Sequence, residues 1–189
     1  MRAAVLLLVL AGLVQTPAQP EIALRIRVFD GPDEVTPHAR VTVFKAGDRS
    51  TPLQESNGAR KVAPGFYDAQ VLREQDGRLV GIKWAQRLVV MAYPDERGEH
   101  LEVINLRQDY GALEVAGSDG SAPDAALFAK GAHDKEVARA VDGAGYKLFV
   151  VPASTYDVRV GSGSASTWHL GVEVPADRTR FVLATRDGR

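Results

Sequence analysis

Four histidines, His38, His100, His133 and His169, are the side chains best suited to metal ligation or to proton transfer near neutral pH. They are scattered along the chain, and only the His100-x-Glu102 spacing puts two ligands on one face of a strand. Zinc sites generally take three or four ligands, so this couple reads as an exposed strand pair. Asp30, Asp33 and Glu34 offer the oxygens that calcium takes, but their spacing follows no calcium loop, and they read as a solvated acidic turn. No metal and no cofactor are expected. Cysteine is absent, which removes thiol chemistry. The small-residue run Gly161-Ser162-Gly163-Ser164-Ala165-Ser166 lacks the strand-to-helix setting of a nucleophile elbow. Gly143-Ala144-Gly145 lacks the further glycine and the helix of a dinucleotide loop and reads as a turn. No catalytic residue emerges, and the chain is expected not to be an enzyme.

Two aromatic residues remain as binding candidates. Trp84 and Trp168 fall at equivalent places in two similar stretches of chain. A tryptophan exposed on a sheet can stack on the apolar face of a sugar, whereas a buried one supplies about 150–250 Å² of core surface. The core is the favoured reading, because Lys83 and Thr167 precede the two rings and polar residues alternate with buried ones along a strand. The platform is kept as the alternative.

The elements that must carry these residues are strands. Leu24-Arg25-Ile26-Arg27-Val28 alternates apolar and charged residues, the period of a half-buried strand. Val41-Thr42-Val43-Phe44, Tyr67 to Leu72, Leu79 to Val90 and Leu101 to Leu106 follow. Turn residues separate them at Asp30-Gly31-Pro32-Asp33, Ala46-Gly47-Asp48, Gln75-Asp76-Gly77 and Pro94 to Gly98. Leu79 to Val90 is long enough for two strands or one bent one. No segment keeps helical spacing for three turns, and alanine-rich 122–132 reads as a strand between Pro123 and Gly131.

The same order of parts then recurs. Pro64-Gly65-Phe66-Tyr67-Asp68 opens a strand in the first half, and Pro152-Ala153-Ser154-Thr155-Tyr156-Asp157 opens one in the second. The expected fold is all-β: two tandem seven-stranded sandwiches, residues 21–107 and 108–185, matching the roughly seven short strands of an immunoglobulin-like domain. Arg186 to Arg189 reads as a frayed tail. The join Arg107-Gln108-Asp109 has neither Gly nor Pro, so the halves are expected to share an interface rather than tumble freely.

Val62-Ala63-Pro64-Gly65-Phe66-Tyr67-Asp68-Ala69-Gln70-Val71 resembles the central-strand motif of the carboxypeptidase-regulatory-like, transthyretin-like (prealbumin-like) β-sandwich. The second copy departs from it, with Ala153 in place of the glycine and one extra residue. The resemblance implies that fold and a use as accessory modules in exported bacterial proteins. It implies no activity. Related sandwiches join a first-strand lysine to a last-strand asparagine. Asn105 is well placed, but the opening strand carries Arg25 and Arg27, so no such bond is expected.

Met1-Arg2, the apolar run Ala3 to Val14 and the small residues before Ala18 read as a secretory signal peptide, residues 1–18. The run is shorter than the roughly 20 residues a bilayer span needs, and no transmembrane segment is expected in the mature chain. A cysteine-free exported β-protein fits the bacterial periplasm or medium. Net charge is −1 from 23 basic and 24 acidic residues, with no basic stripe, which excludes nucleic acid as the expected partner. Another envelope or secreted protein is the expected partner. Carbohydrate, through Trp84 and Trp168, is the alternative.

Overall fold

A computed structural model describes residues 21–54, 59–91 and 98–184. The signal peptide at 1–18, most of the turn at 94–98 and the tail at 186–189 lie outside these residues. The first half forms β1 (Ile22–Asp30), β2 (Asp33–Glu34), β3 (Ala39–Lys45), β4 (Arg60–Val62), β5 (Gly65–Gln75), β6 (Arg78–Val90) and β7 (Glu99–Asn105). The second forms β8 (Tyr110–Gly117), β9 (Ala125–Ala129), β10 (Ala132–Ala138), β11 (Val141–Gly143), β12 (Tyr146–Pro152), β13 (Ser154–Val160), β14 (Thr167–Val174) and β15 (Thr179–Ala184). The second half thus has eight strands among the described residues, one more than expected. The glycine turn expected at 143–145 closes a short hairpin in which Val141–Gly143 pairs with Tyr146–Leu148. Among the described residues no helix is long and apolar enough to cross a membrane.

Among the described residues no sheet mixes strands of the two halves. In each half the last strand runs parallel to the first: Leu24 lies opposite His100 in β1–β7, and Ala112 opposite Thr179 in β8–β15. A second sheet faces each of these, β3–β5–β6 in the first half and β10–β9–β13–β14 in the second. Alternation does the sorting. Leu24, Ile26 and Val28 of β1 point into one core with Tyr67, Ala69 and Val71 of β5. Leu113 and Val115 of β8 point into another with Tyr156 and Val158 of β13. Each strand-opening tyrosine is buried and donates its hydroxyl to a carbonyl four residues back, Tyr67 to Ala63 at 2.7 Å and Tyr156 to Pro152 at 2.6 Å.

The opposite face of β1 is not left to water. Phe29, Leu101 and Val103 of the first half pack with Ala112, Ala116, Tyr146, Leu148 and Val150 of the second in a third buried cluster. Arg25 and Arg27, on the same face as Phe29, are held by Glu99 at 3.1 Å and by Glu34. Lys83 of β6 crosses to the backbone oxygen of Asn105 and to Asp177 before β15. Thr179 accepts from the Val103 amide at 2.9 Å and donates to Glu102 at 3.1 Å. Apolar surface at the centre and charged groups at the margin couple the halves directly.

Candidate functional site

The outer faces of β3–β5–β6 and β9–β13–β14 carry one construction twice. Strand pairing sets Phe44 opposite Asp68 and Gln70 opposite Trp84 in the first half. It sets Phe128 opposite Asp157 and Arg159 opposite Trp168 in the second. Because Val43, Tyr67 and Val71 point into the core, these alternate residues point outward. Neither tryptophan belongs to any buried cluster, and both are half-buried on the outside. The core placement favoured from sequence is therefore corrected. Lys83, the polar neighbour used to infer it, lies opposite Val71 on the inner side. Its stem runs along the edge of the sheet, and its ammonium reaches Asn105 and Asp177 beyond that edge.

The two aspartates hold bulges in place. Asp68 accepts from the Arg87 amide at 2.9 Å and from the Gly47 amide at 3.5 Å. Asp157 accepts from Gly171 and Gly131, each at 2.8 Å, and meets His133 Nε2 at 2.7 Å. Arg87 and Gly171 occupy the left-handed region, with φ of 55° and 67°. That conformation is strained for a side chain with a Cβ, and the Asp68 carboxylate secures the Arg87 amide there. Here β6 turns out to be one bent strand rather than two.

Donation from Gly131, then Gly171 and His133, holds the Asp157 carboxyl down at about 2, against 3.8 when unperturbed. A depressed carboxyl stabilises the fold above its unfolded value and loses that contribution as pH falls through its folded value. Asp157→Asn is therefore expected to be less stable than the parent at neutral pH. The two stability curves are expected to converge as pH drops from about 4 to about 2, measured by denaturant titration across that window. Parallel curves down to pH of about 2 would refute this role for the carboxylate.

Each tryptophan is capped by a nitrogen-bearing group of its own half. The Arg49 guanidinium sits 4.4 Å from the Trp84 ring centre, with Phe44 5.9 Å away. The His133 imidazole stacks on Trp168 at 4.1 Å and an interplanar angle of 21°, with Phe128 5.2 Å away and Arg159 over Phe128. The halves differ in what surrounds the capped ring. Around Trp84 the first half exposes Phe66 by 50% and Ile82 by 59%, with Leu79, Val80, Val89 and Met91 also exposed. Arg87 lies 5.0 Å from the Phe66 ring centre. Among the described residues of the second half only Val137 and Leu170 are large exposed apolar side chains.

The other sequence candidates do not converge. His100 and Glu102 lie on one strand face, but they are buried rather than exposed. His100 Nε2 meets Glu102 at 3.1 Å, its Nδ1 meets the Met91 carbonyl at 3.0 Å, and Thr179 takes the other Glu102 oxygen. Asp30 is neutralised by Arg73 and Arg107, and Glu34 by Arg27, so the acidic turn is an ion-paired corner rather than a solvated one. Asn105 exchanges hydrogen bonds with the Gly31 backbone and accepts from Arg107. Ser166 closes onto Gly163 of its own loop. A cleft of 490 Å³ between the halves is lined by arginines, Glu34 and Glu99, with Arg25 and Arg27 already paired to those acids. Among the described residues no three His, Asp or Glu side chains are grouped to hold a metal.

Sequence reasoning found the repeated Trp and the Tyr-Asp pairs. It missed Phe44, Phe128, Arg49, Arg87 and His133. Of these, Phe44 and Phe128 occupy matching places, each the next-to-last residue of its strand, β3 and β9. Arg49 reaches its ring from the loop after β3 and His133 from the irregular start of β10, and neither leaves a periodic trace.

Compared with known proteins, the chain matches no family model, and no curated protein matches it. Among solved structures it is similar to the Bacillus anthracis TIE protein at 14% identity and a TM-score of 0.30, over 87% of this chain and 34% of that one. The chain thus spans about a third of that protein. It is also similar to the tip fimbrial protein Mfa3 of Porphyromonas gingivalis at 11% identity and a TM-score of 0.29, over 88% of this chain and 94% of that one. Scores this low do not establish a shared fold.

Proposed function

We propose that the chain is an exported, non-catalytic β-sandwich protein of the bacterial envelope, periplasmic or secreted, and of the carboxypeptidase-regulatory-like, transthyretin-like kind. It acts by binding another envelope or secreted protein. The observation that carries this reading is the outer face of β3–β5–β6. There Phe66, Ile82 and Val89 are exposed beside Trp84, and arginines lie over the two rings. Exposed apolar side chains collected on one outward face mark an interaction site, and arginine and aromatic residues are the side chains enriched in interface centres. The shared cluster around Phe29 supports the same reading, because it lets the face be presented by one coupled body.

Carbohydrate is the less favoured ligand. A sugar stacks on a bare ring face, and Trp84 and Trp168 already carry Arg49 and His133 on theirs. The test is a photo-crosslinking side chain placed at Ile82 in cells of the native host, with a control at Leu170. One protein crosslinked from Ile82 and not from Leu170 is the expected result. Equal yields at the two positions, or glycan adducts at Ile82, would overturn the reading.

A further inference from the structure

The chemistry of the β3–β5–β6 face narrows the kind of partner it fits. Arg49 and Arg87 hold their guanidiniums over Trp84 and Phe66, and neither has a carboxylate partner among the described residues. Asp48, beside Arg49 in sequence, is engaged by Ser50 and Thr51. Asp68, on the same face, is buried and spends its oxygens on Arg87 and Gly47 amides. The face therefore presents two oriented, uncompensated cations. Each lies within 5.0 Å of a ring centre, and a guanidinium so placed has further donors to offer a planar acid.

Pairing sets the spacing of the two rings that they cap. Trp84 lies opposite Gln70 and Val89 opposite Phe66, so the two capped rings are four β5 residues apart. At about 3.3 Å per residue that is about 13 Å, the distance between side chains i and i+4 on one face of an extended strand. Exposed Val89 stands at the Phe66 level, and exposed Ile82, opposite Leu72, lies just beyond the Trp84 level, so each capped ring has an apolar neighbour on the face. A free edge lies beyond Trp84, on the side away from Phe66. The middle of β6 is covered, since Lys83 reaches Asn105 and Arg178 reaches the Gln86 carbonyl at 3.4 Å. Among the described residues no strand lies beyond Arg78 to Ile82 in the sheet, where β6 is the last member. An open sheet edge of this kind accepts an added strand.

We infer that this face takes an extended polypeptide segment in which carboxylates alternate with apolar side chains, two of the carboxylates four residues apart. The inference rests on the interaction reading proposed above. Opposite charge at this spacing selects the segment, and the exposed aliphatic side chains favour a polypeptide over an acidic polysaccharide.

The probe is a fluorescein-labelled peptide of alternating aspartate and valine, read by anisotropy against the full mature chain at low salt. A second peptide has lysine for aspartate, and an oligouronate is the competitor. The expected result is saturable binding of the aspartate peptide with a Kd on the order of 10–100 µM. It weakens about tenfold in Arg49→Gln/Arg87→Gln, and the lysine peptide does not bind. Arg49→Glu/Arg87→Glu is expected to reverse the preference between the two peptides. Both variants must melt where the parent does, since the two side chains are exposed. No saturable binding below about 1 mM, equal binding by the Gln variant, or binding of the oligouronate in place of the peptide would overturn the inference. A protein crosslinked from Ile82 without arginine-dependent peptide binding defeats this chemistry alone. Loss of both results defeats the interaction reading itself.

Discussion

Phe29→Ala is expected to lower the unfolding free energy by about 3–5 kcal/mol and to loosen the two halves from one another. Phe29 is fully buried, the bulkiest first-half side chain in the cluster that joins Leu101 and Val103 to Ala112, Ala116, Leu148 and Val150. Its removal opens a cavity lined by both halves, and packed interiors collapse only partly around such a void. Neighbouring core positions do not compensate, because Val28 and Ile26 point to the other side of β1. Other ties are polar, among them the Lys83–Asp177 pair, Thr179 with Glu102 and the Val103 amide, and Arg178 on the Gln86 carbonyl. Exposed ion pairs contribute only about 0–1 kcal/mol. Urea denaturation measures the loss, and NMR relaxation measures whether the halves now tumble at different rates. A loss below about 1 kcal/mol with unchanged tumbling would show that the cluster does not couple them.

Gly111→Ala is the second substitution with a large expected cost, about 2–3 kcal/mol or more. Gly111 lies in β8 opposite Val151. A Cβ there would overlap the Pro175 carbonyl oxygen and press on Val174 Cγ1 at 3.0 Å. Backbone cannot swing aside as a flexible side chain does. The 175–178 segment is pinned to the same strand, with the Asp177 amide donating to Tyr110 and the Ala112 amide donating to Arg178. Displacing it would also move Asp177 from Lys83 and Arg178 from Gln86, so the clasp between the halves weakens with the strand. Thermal unfolding of the variant, followed by circular dichroism, is expected to fall well below the parent. An unchanged melting point would mean that the 175–178 segment is free to move.

Much of the strand pattern could be read in advance, and the reason is local. Tyr67-Asp68 and Tyr156-Asp157 announce an inward ring, an outward carboxylate and the start of a central strand, and both copies do this in the structure. The alternation of β1 was equally plain, although the face taken for solvent proved to be the one that meets the other half. The tryptophans show where period-two reasoning stops. A polar neighbour says that two residues face opposite ways, not which of them is inside. Lys83 at an edge can satisfy its ammonium beyond the sheet while its stem lies inward. His100 and Glu102 read as an exposed pair because two ligands do not make a zinc site, and β7 buries them as a mutually satisfied pair instead. The extra strand Val141–Gly143 is too short to carry any periodic signal. Arg49 and His133 arrive at their rings through tertiary placement, which spacing along the chain does not encode.

The most direct measurement of the central claim is affinity enrichment from the native envelope fraction, comparing the parent chain with Phe66→Ser/Ile82→Ser. Both positions are exposed, so the variant is expected to keep the parent's circular dichroism and melting point. The account predicts one dominant protein on the parent and its loss on the variant. Equal recovery from both chains, or glycan fragments with no enriched protein, would contradict it.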